Sequence, residues 1–210
     1  MTNPVWKLSL DLHGLTRHGQ REAKTAAARL NKMGVGQDAW VWSGTQTSSL
    51  ETAEVVASTL GIGREQLIPE YAFLDSRGVG AMEWGPCEEV DRAVGQVDQQ
   101  GDRQRLELGV DGTPGESVHD VFVRMRQLIS KIETAWNGQD VVIVAPDSYT
   151  LAIMEAAMKG RDITGYRDCM YRTGEVRKID PVVRVVEPKK SLTLAEALTQ
   201  FKSERSDASS

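Results

Sequence analysis

The stretch Leu8-Ser9-Leu10-Asp11-Leu12-His13-Gly14 decides how this chain is read. Leucines at positions 8, 10 and 12 alternate with polar residues, the period of a strand, and the run ends on a histidine and a glycine. Beyond it, Ala23, Ala26, Ala27, Leu30 and Met33 recur at helical spacing up to Gly34, with Thr16 or a neighbour placed to cap that helix. Ala39-Trp40-Val41-Trp42 predicts a second strand. It runs into Ser43-Gly44-Thr45-Gln46-Thr47-Ser48-Ser49-Leu50-Glu51, where Ser48 and Glu51 stand at capping-box spacing before a helix that reaches about Leu60.

The alternation continues along the chain. Residues 67–74 predict a third strand, and Pro86 stands where a helix continued by residues 88–97 can begin. Val118, Val121, Phe122, Met125, Leu128, Ile129 and Ile132 keep one face of a long helix apolar as far as Trp136. Residues 141–145 are continuously apolar, as a strand covered on both faces requires, and residues 151–158 continue as a helix closed by Gly160. Residues 175–179 and 182–186 predict two more strands. Strands alternating with helices predict an α/β fold, a three-layer α/β/α sandwich with a mostly parallel central sheet over residues 1–190. A C-terminal helix and a disordered Ser/Asp-rich tail are expected over residues 191–210. The ligand crevice of such a sheet lies at the C-terminal ends of its strands.

Composition narrows the function classes. A chain of 210 residues, 40% hydrophobic and 26% charged, suits a globular protein with one sizeable core. A net charge of -5 without a Lys/Arg-rich block argues against a nucleic-acid partner. Cys87 and Cys169 stand apart, with no CxxC and no histidine at ligand spacing, which suits reduced thiols and argues against a metal centre. No apolar run approaches the roughly 18 residues of a membrane-spanning helix, so no membrane insertion is expected. The cytoplasm is the expected compartment, with an organelle matrix or plastid stroma the alternative if a transit segment was removed. No motif calls for an organic cofactor.

In the order of its segments the chain resembles the histidine phosphatase superfamily, the phosphoglycerate mutase-like fold. Residues 10–14 resemble the family's first strand, which ends in Arg-His-Gly, and Leu15-Thr16, Gly19 and Ala23 resemble the opening of its first helix. Residues 43–53 are similar to the segment reading Ser-Ser-x-x-x-Arg-Ala-x-x-Thr-Ala, residues 74–89 to the segment carrying the family's acid, and Pro114-Gly115-Glu116-Ser117 to its Gly-Glu-Ser motif. Residues 141–149 resemble the strand and turn that end in Ser-His-Gly.

The resemblance implies a phosphoryl-transfer chemistry that can be checked position by position. The family's first histidine attacks phosphorus, two arginines and a second histidine hold the phosphoryl oxygens, and a carboxylic acid protonates the leaving group. His13 aligns with the nucleophile. The adjacent arginine aligns with Leu12, the second arginine with Ser48, the acid with Ser76 and the second histidine with Pro146. Leucine and proline carry neither charge nor a side-chain donor, and serine offers a neutral hydroxyl, so four of five roles are vacant. An alternative register uses the literal Arg17-His18-Gly19 and makes His18 the nucleophile beside Arg17.

Other readings of the same residues stand beside these. His13 can serve as a structural histidine at a strand end, and His18 and His119 as solvated helix residues. Ser43, Thr45, Thr47 and Ser48 can cap a helix locally or bind an anion, Ser43 and Ser48 being what is left of a phosphate pocket together with Arg17. Glu83, Glu88 and Glu89 can supply a displaced acid or be a solvated helix start. The expectation is a catalytically impaired member acting as a binding or assembly protein with a protein partner. The alternatives are a phosphomonoester phosphatase or mutase-like enzyme working through a phosphohistidine, and a non-catalytic sensor of phosphate or a phosphorylated metabolite.

Overall fold

The computed structural model describes residues 14–136 and 138–180. The expected first strand, the strand at 182–186 and the C-terminal helix and tail lie outside these residues. Among the described residues the sheet is centred on β1 (Trp40–Ser43), which pairs in parallel with β2 (Leu67–Pro69) and with β3 (Val141–Val144), in the order β2-β1-β3. Val41 stands opposite Leu67 and Val142, and Ser43 opposite Pro69 and Val144. The strands therefore end level with one another, so the loops that follow them meet at one edge of the sheet.

Side-chain alternation along β1 separates two apolar cores. Val41 is buried with Ala27 and Leu30 of α1 (Arg17–Lys32) and with Ala53, Val56 and Ala57 of α2 (Thr47–Leu60). Trp42, one residue on, is buried with Val90 and Val94 of α3 (Cys87–Asp98), Val121, Met125 and Leu128 of α4 (Val118–Ala135), and Ile153 of α5 (Ser148–Met158). Helices thus cover both faces of a parallel sheet, the expected three layers. Complete burial of each large apolar side chain contributes roughly 1.5–3 kcal/mol, and Trp42, Leu74, Met125 and Leu128 are all fully buried.

The helix boundaries follow local chemistry. Thr16 caps α1 by accepting from the Gly19 N–H at 3.0 Å, and Ser117 and Asp120 form a reciprocal capping box on α4. Asp147 caps α5, accepting from the Thr150 N–H at 2.7 Å, so this helix begins three residues before the expected Leu151. Gly61, at φ 71°, closes α2 in the left-handed conformation that glycine adopts without penalty.

Three local expectations are corrected. The box between Ser48 and Glu51 does not form, because Gln46 is the N-cap of α2, Ser48 lies within its first turn, and the Glu51 carboxylate accepts from the Leu15 N–H at 2.5 Å. The third strand stops at Pro69 rather than continuing to Leu74, since the buried Glu70 carboxylate accepts from the Ala72 N–H and from Lys131 and turns the chain. Residues 175–179 form no strand; Arg177 draws this segment onto the Glu155 carboxylate and the Cys169 and Met170 carbonyls instead.

Candidate functional site

Three loops converge at the C-terminal ends of the strands: residues 44–46 after β1, 73–78 after β2 and 145–147 after β3. Gly44 sets their spacing. A side chain at this position would stand 2.6 Å from the Leu74 carbonyl oxygen and 3.0 Å from Pro146, so the close approach of the loops depends on glycine.

Mutual hydrogen bonds occupy the side chains at this edge. Thr45 donates to Asp75 at 3.1 Å, Gln46 donates to the buried Ser76 hydroxyl at 2.8 Å, and the Ser43 hydroxyl is buried against the Gly44 carbonyl at 2.9 Å. The Asp147 carboxylate receives the Thr150 N–H at its cap and the Arg77 N–H at 3.2 Å. Glu116, of the Gly-Glu-Ser motif, receives the Gly78 N–H at 2.8 Å and pairs with Arg124, whose Nη1 also donates to the Phe73 carbonyl. Burial pushes the Asp75 carboxyl above its ordinary value, against the Thr45 hydroxyl and Arg124 and with help from Glu116 and Glu70.

The cations nearest these loops are already engaged. Arg77 is 1% exposed and turned inward, gripping Asp98 through two hydrogen bonds of 2.7 and 2.9 Å and donating to the Glu116 carbonyl, while Tyr166 donates to the same Asp98 carboxylate. Arg124 is held by Glu116. Among the described residues, what faces the strand ends is therefore neutral hydroxyls and amides together with the carboxyl groups of Asp75 and Asp147. Among the described residues no group of three or more His, Cys, Asp or Glu is arranged to hold a metal ion.

The residues singled out from sequence are spread over several places. Ser43 closes β1, Ser76 and Pro146 lie on the converging loops, and Ser48 lies in the first turn of α2. Leu12 and His13 lie outside the described residues; the Glu51 carboxylate sits against Gly14 and Leu15, which follow them. Arg17 and His18 occupy the first turn of α1, a helix rather than a strand end, and His18 is 74% exposed with its Nε2 3.3 Å from Glu22. His119 lies in the first turn of α4, near Arg103. Sequence reasoning missed Asp75 and Arg77. Both flank Ser76, but nothing in the sequence showed that one would be desolvated beside Thr45 and the other buried on Asp98.

Comparison with known proteins agrees with this architecture. The family described as the histidine phosphatase superfamily (branch 1) matches residues 7–183. Similar solved structures include a mycobacterial glucosyl-3-phosphoglycerate phosphatase complexed with VO3, at TM-score 0.60 and 19% identity over 79% of each chain. The YhfR protein of Bacillus stearothermophilus matches at TM-score 0.58 and 20% identity, over 85% of this chain and 88% of that one. The alpha-ribazole phosphatase of Shigella flexneri matches at TM-score 0.55 and 17% identity, over 80% and 79%. No curated protein matches the sequence.

Proposed function

The chain belongs to the histidine phosphatase superfamily, and we propose that it keeps the fold while having lost the charge chemistry of phosphoryl transfer, acting instead as a binding or assembly protein. The observation that supports this most directly is the sign of the charge at the strand ends. A phosphoryl group brings negative charge and is held by positive charge. Among the described residues Ser48, Ser76 and Pro146 offer none, Arg77 is buried on Asp98, and Asp75 and Asp147 place acidic rather than basic side chains there. Two like unit charges 4 Å apart repel by about 4 kcal/mol at an effective dielectric of 20. Losing one positioned donor to the transferring group costs ~10²–10³ in rate and losing a general acid ~10²–10⁴, without simple multiplication.

A binding role draws support from the surface. Trp84 is 57% exposed and held at φ 66°, a conformation rare for a bulky residue, while Leu108 and Val110 are exposed on the segment whose Glu107 carbonyl accepts from the Ala81 N–H. Aromatic side chains of this kind are enriched at protein contacts.

One observation favours a second reading, a phosphatase with a rebuilt pocket. Asp75 stands one residue from the acid position, half-buried and with its carboxyl pushed towards the protonated form. Hydrolysis of a panel of phosphate monoesters separates the two. The binding protein gives no turnover above the His13→Ala and His18→Ala variants. The rebuilt enzyme gives turnover abolished by one of these substitutions and reduced by Asp75→Asn.

A further inference from the structure

A second polar site stands on the outer face of α1. His18, Glu22, Thr25 and Arg29 follow one another at helical spacing with Arg21 beside them, and Ala23, Ala26, Ala27 and Leu30 bury a different face of the same helix. This stripe and the turn at Thr173 and Gly174 line an open surface depression of about 390 Å³.

The walls of the cavity favour an anion. They carry two guanidiniums against a single carboxylate, while the hydroxyl protons of Thr25 and Thr173 are already given to the Arg21 carbonyl and to Glu22. That carboxylate is engaged: Glu22 accepts from the Thr173 hydroxyl at 3.1 Å and pairs with His18 at 3.3 Å. Thr25 donates to the Arg21 carbonyl at 2.9 Å, which leaves its oxygen as an acceptor, and Arg29 makes only a 3.4 Å approach to the Gly174 carbonyl. Arg21 and Arg29 are eight residues apart, about 12 Å along the helix axis, and long side chains from each can close over a ligand seated at Thr25. Arginine suits this task, since its planar fork matches phosphate oxygens.

We propose that this cavity binds a small ligand carrying two linked phosphate groups, with Arg21 and Arg29 as its counter-charges. The site is separate from the crevice at the strand ends, and its occupancy does not depend on whether His13 can be phosphorylated.

Titration calorimetry with inorganic pyrophosphate tests it on the full chain. The wild-type protein is expected to bind saturably, and Arg21→Ala and Arg29→Ala each to weaken binding about tenfold or more, the effect of removing one charge-assisted hydrogen bond to phosphate. Lys24→Ala, which removes the same charge from α1 outside the cavity, is expected to leave affinity within about twofold. All three positions are exposed, so unchanged circular dichroism is expected throughout. Absence of saturable binding overturns the proposal. So does an equal loss in Lys24→Ala, which signals unspecific charge, or unchanged binding in both arginine variants, which places the anion elsewhere.

Discussion

Glu155 shows how a single buried charge is made useful in this protein. Its side chain is only 4% exposed, and burial alone would raise its pKa. Hydrogen bonds from Lys159, Tyr171 and Arg177 outweigh that and hold it at about 2. Because this lies below the ordinary 4.5, the folded state binds fewer protons than the unfolded one. The stability it contributes is complete above about pH 5 and is lost as pH falls towards 2. Glu155→Gln should therefore flatten the stability curve across that window and destabilise by about 1–3 kcal/mol at neutral pH, read from urea unfolding at several pH values. Gly44 makes the complementary point for space. A methyl group there meets the Leu74 carbonyl at 2.6 Å, so Gly44→Ala should cost about 1–3 kcal/mol, measured by the same unfolding experiment.

At the scale of elements, buried ion pairs tie the crevice loops to the helices behind them. Arg77 joins the loop after β2 to Asp98 at the end of α3 and to Tyr166 in the 3-10 turn Ile163–Cys169. Asp98→Asn leaves a guanidinium buried without its counter-charge and should cost about 3–5 kcal/mol, whereas Arg77→Met with Asp98→Leu removes both charges and should cost less, about 1–3 kcal/mol for the Tyr166 hydroxyl and Glu116 carbonyl left unpaired; thermal denaturation of the two variants distinguishes them. Elements specified by local chemistry were legible in the sequence. The Thr16 cap and the apolar stripe of α4 stand where spacing placed them. Elements decided by distant partners were not. Ser48 and Glu51 have the spacing of a capping box, yet the carboxylate is taken by the Leu15 N–H, 36 residues away. Arg77 reads as an ordinary loop arginine until Asp98 and Tyr166 fold around it.

For the whole molecule, the two cores on either side of β1 and the convergence of three loops at its end preserve the layout of a phosphoryl-transfer fold. The order of strands and helices was legible because burial patterns repeat along each element. Ser43, Ser48, Ser76 and Pro146 lie at the C-terminal edge of the sheet or in the first turn of α2. The electrostatics there were not legible, because the orientation of Arg77 and the desolvation of Asp75 arise only from tertiary packing. Under the proposed function, fold and phosphoryl chemistry have separated in this chain. The most direct measurement is mass spectrometry of the intact protein after incubation with small phosphoryl donors and substrates, since a histidine phosphatase passes through a phosphohistidine. No adduct of one phosphoryl group is expected on the wild-type protein. An adduct that maps to His13 and disappears in His13→Ala would contradict it.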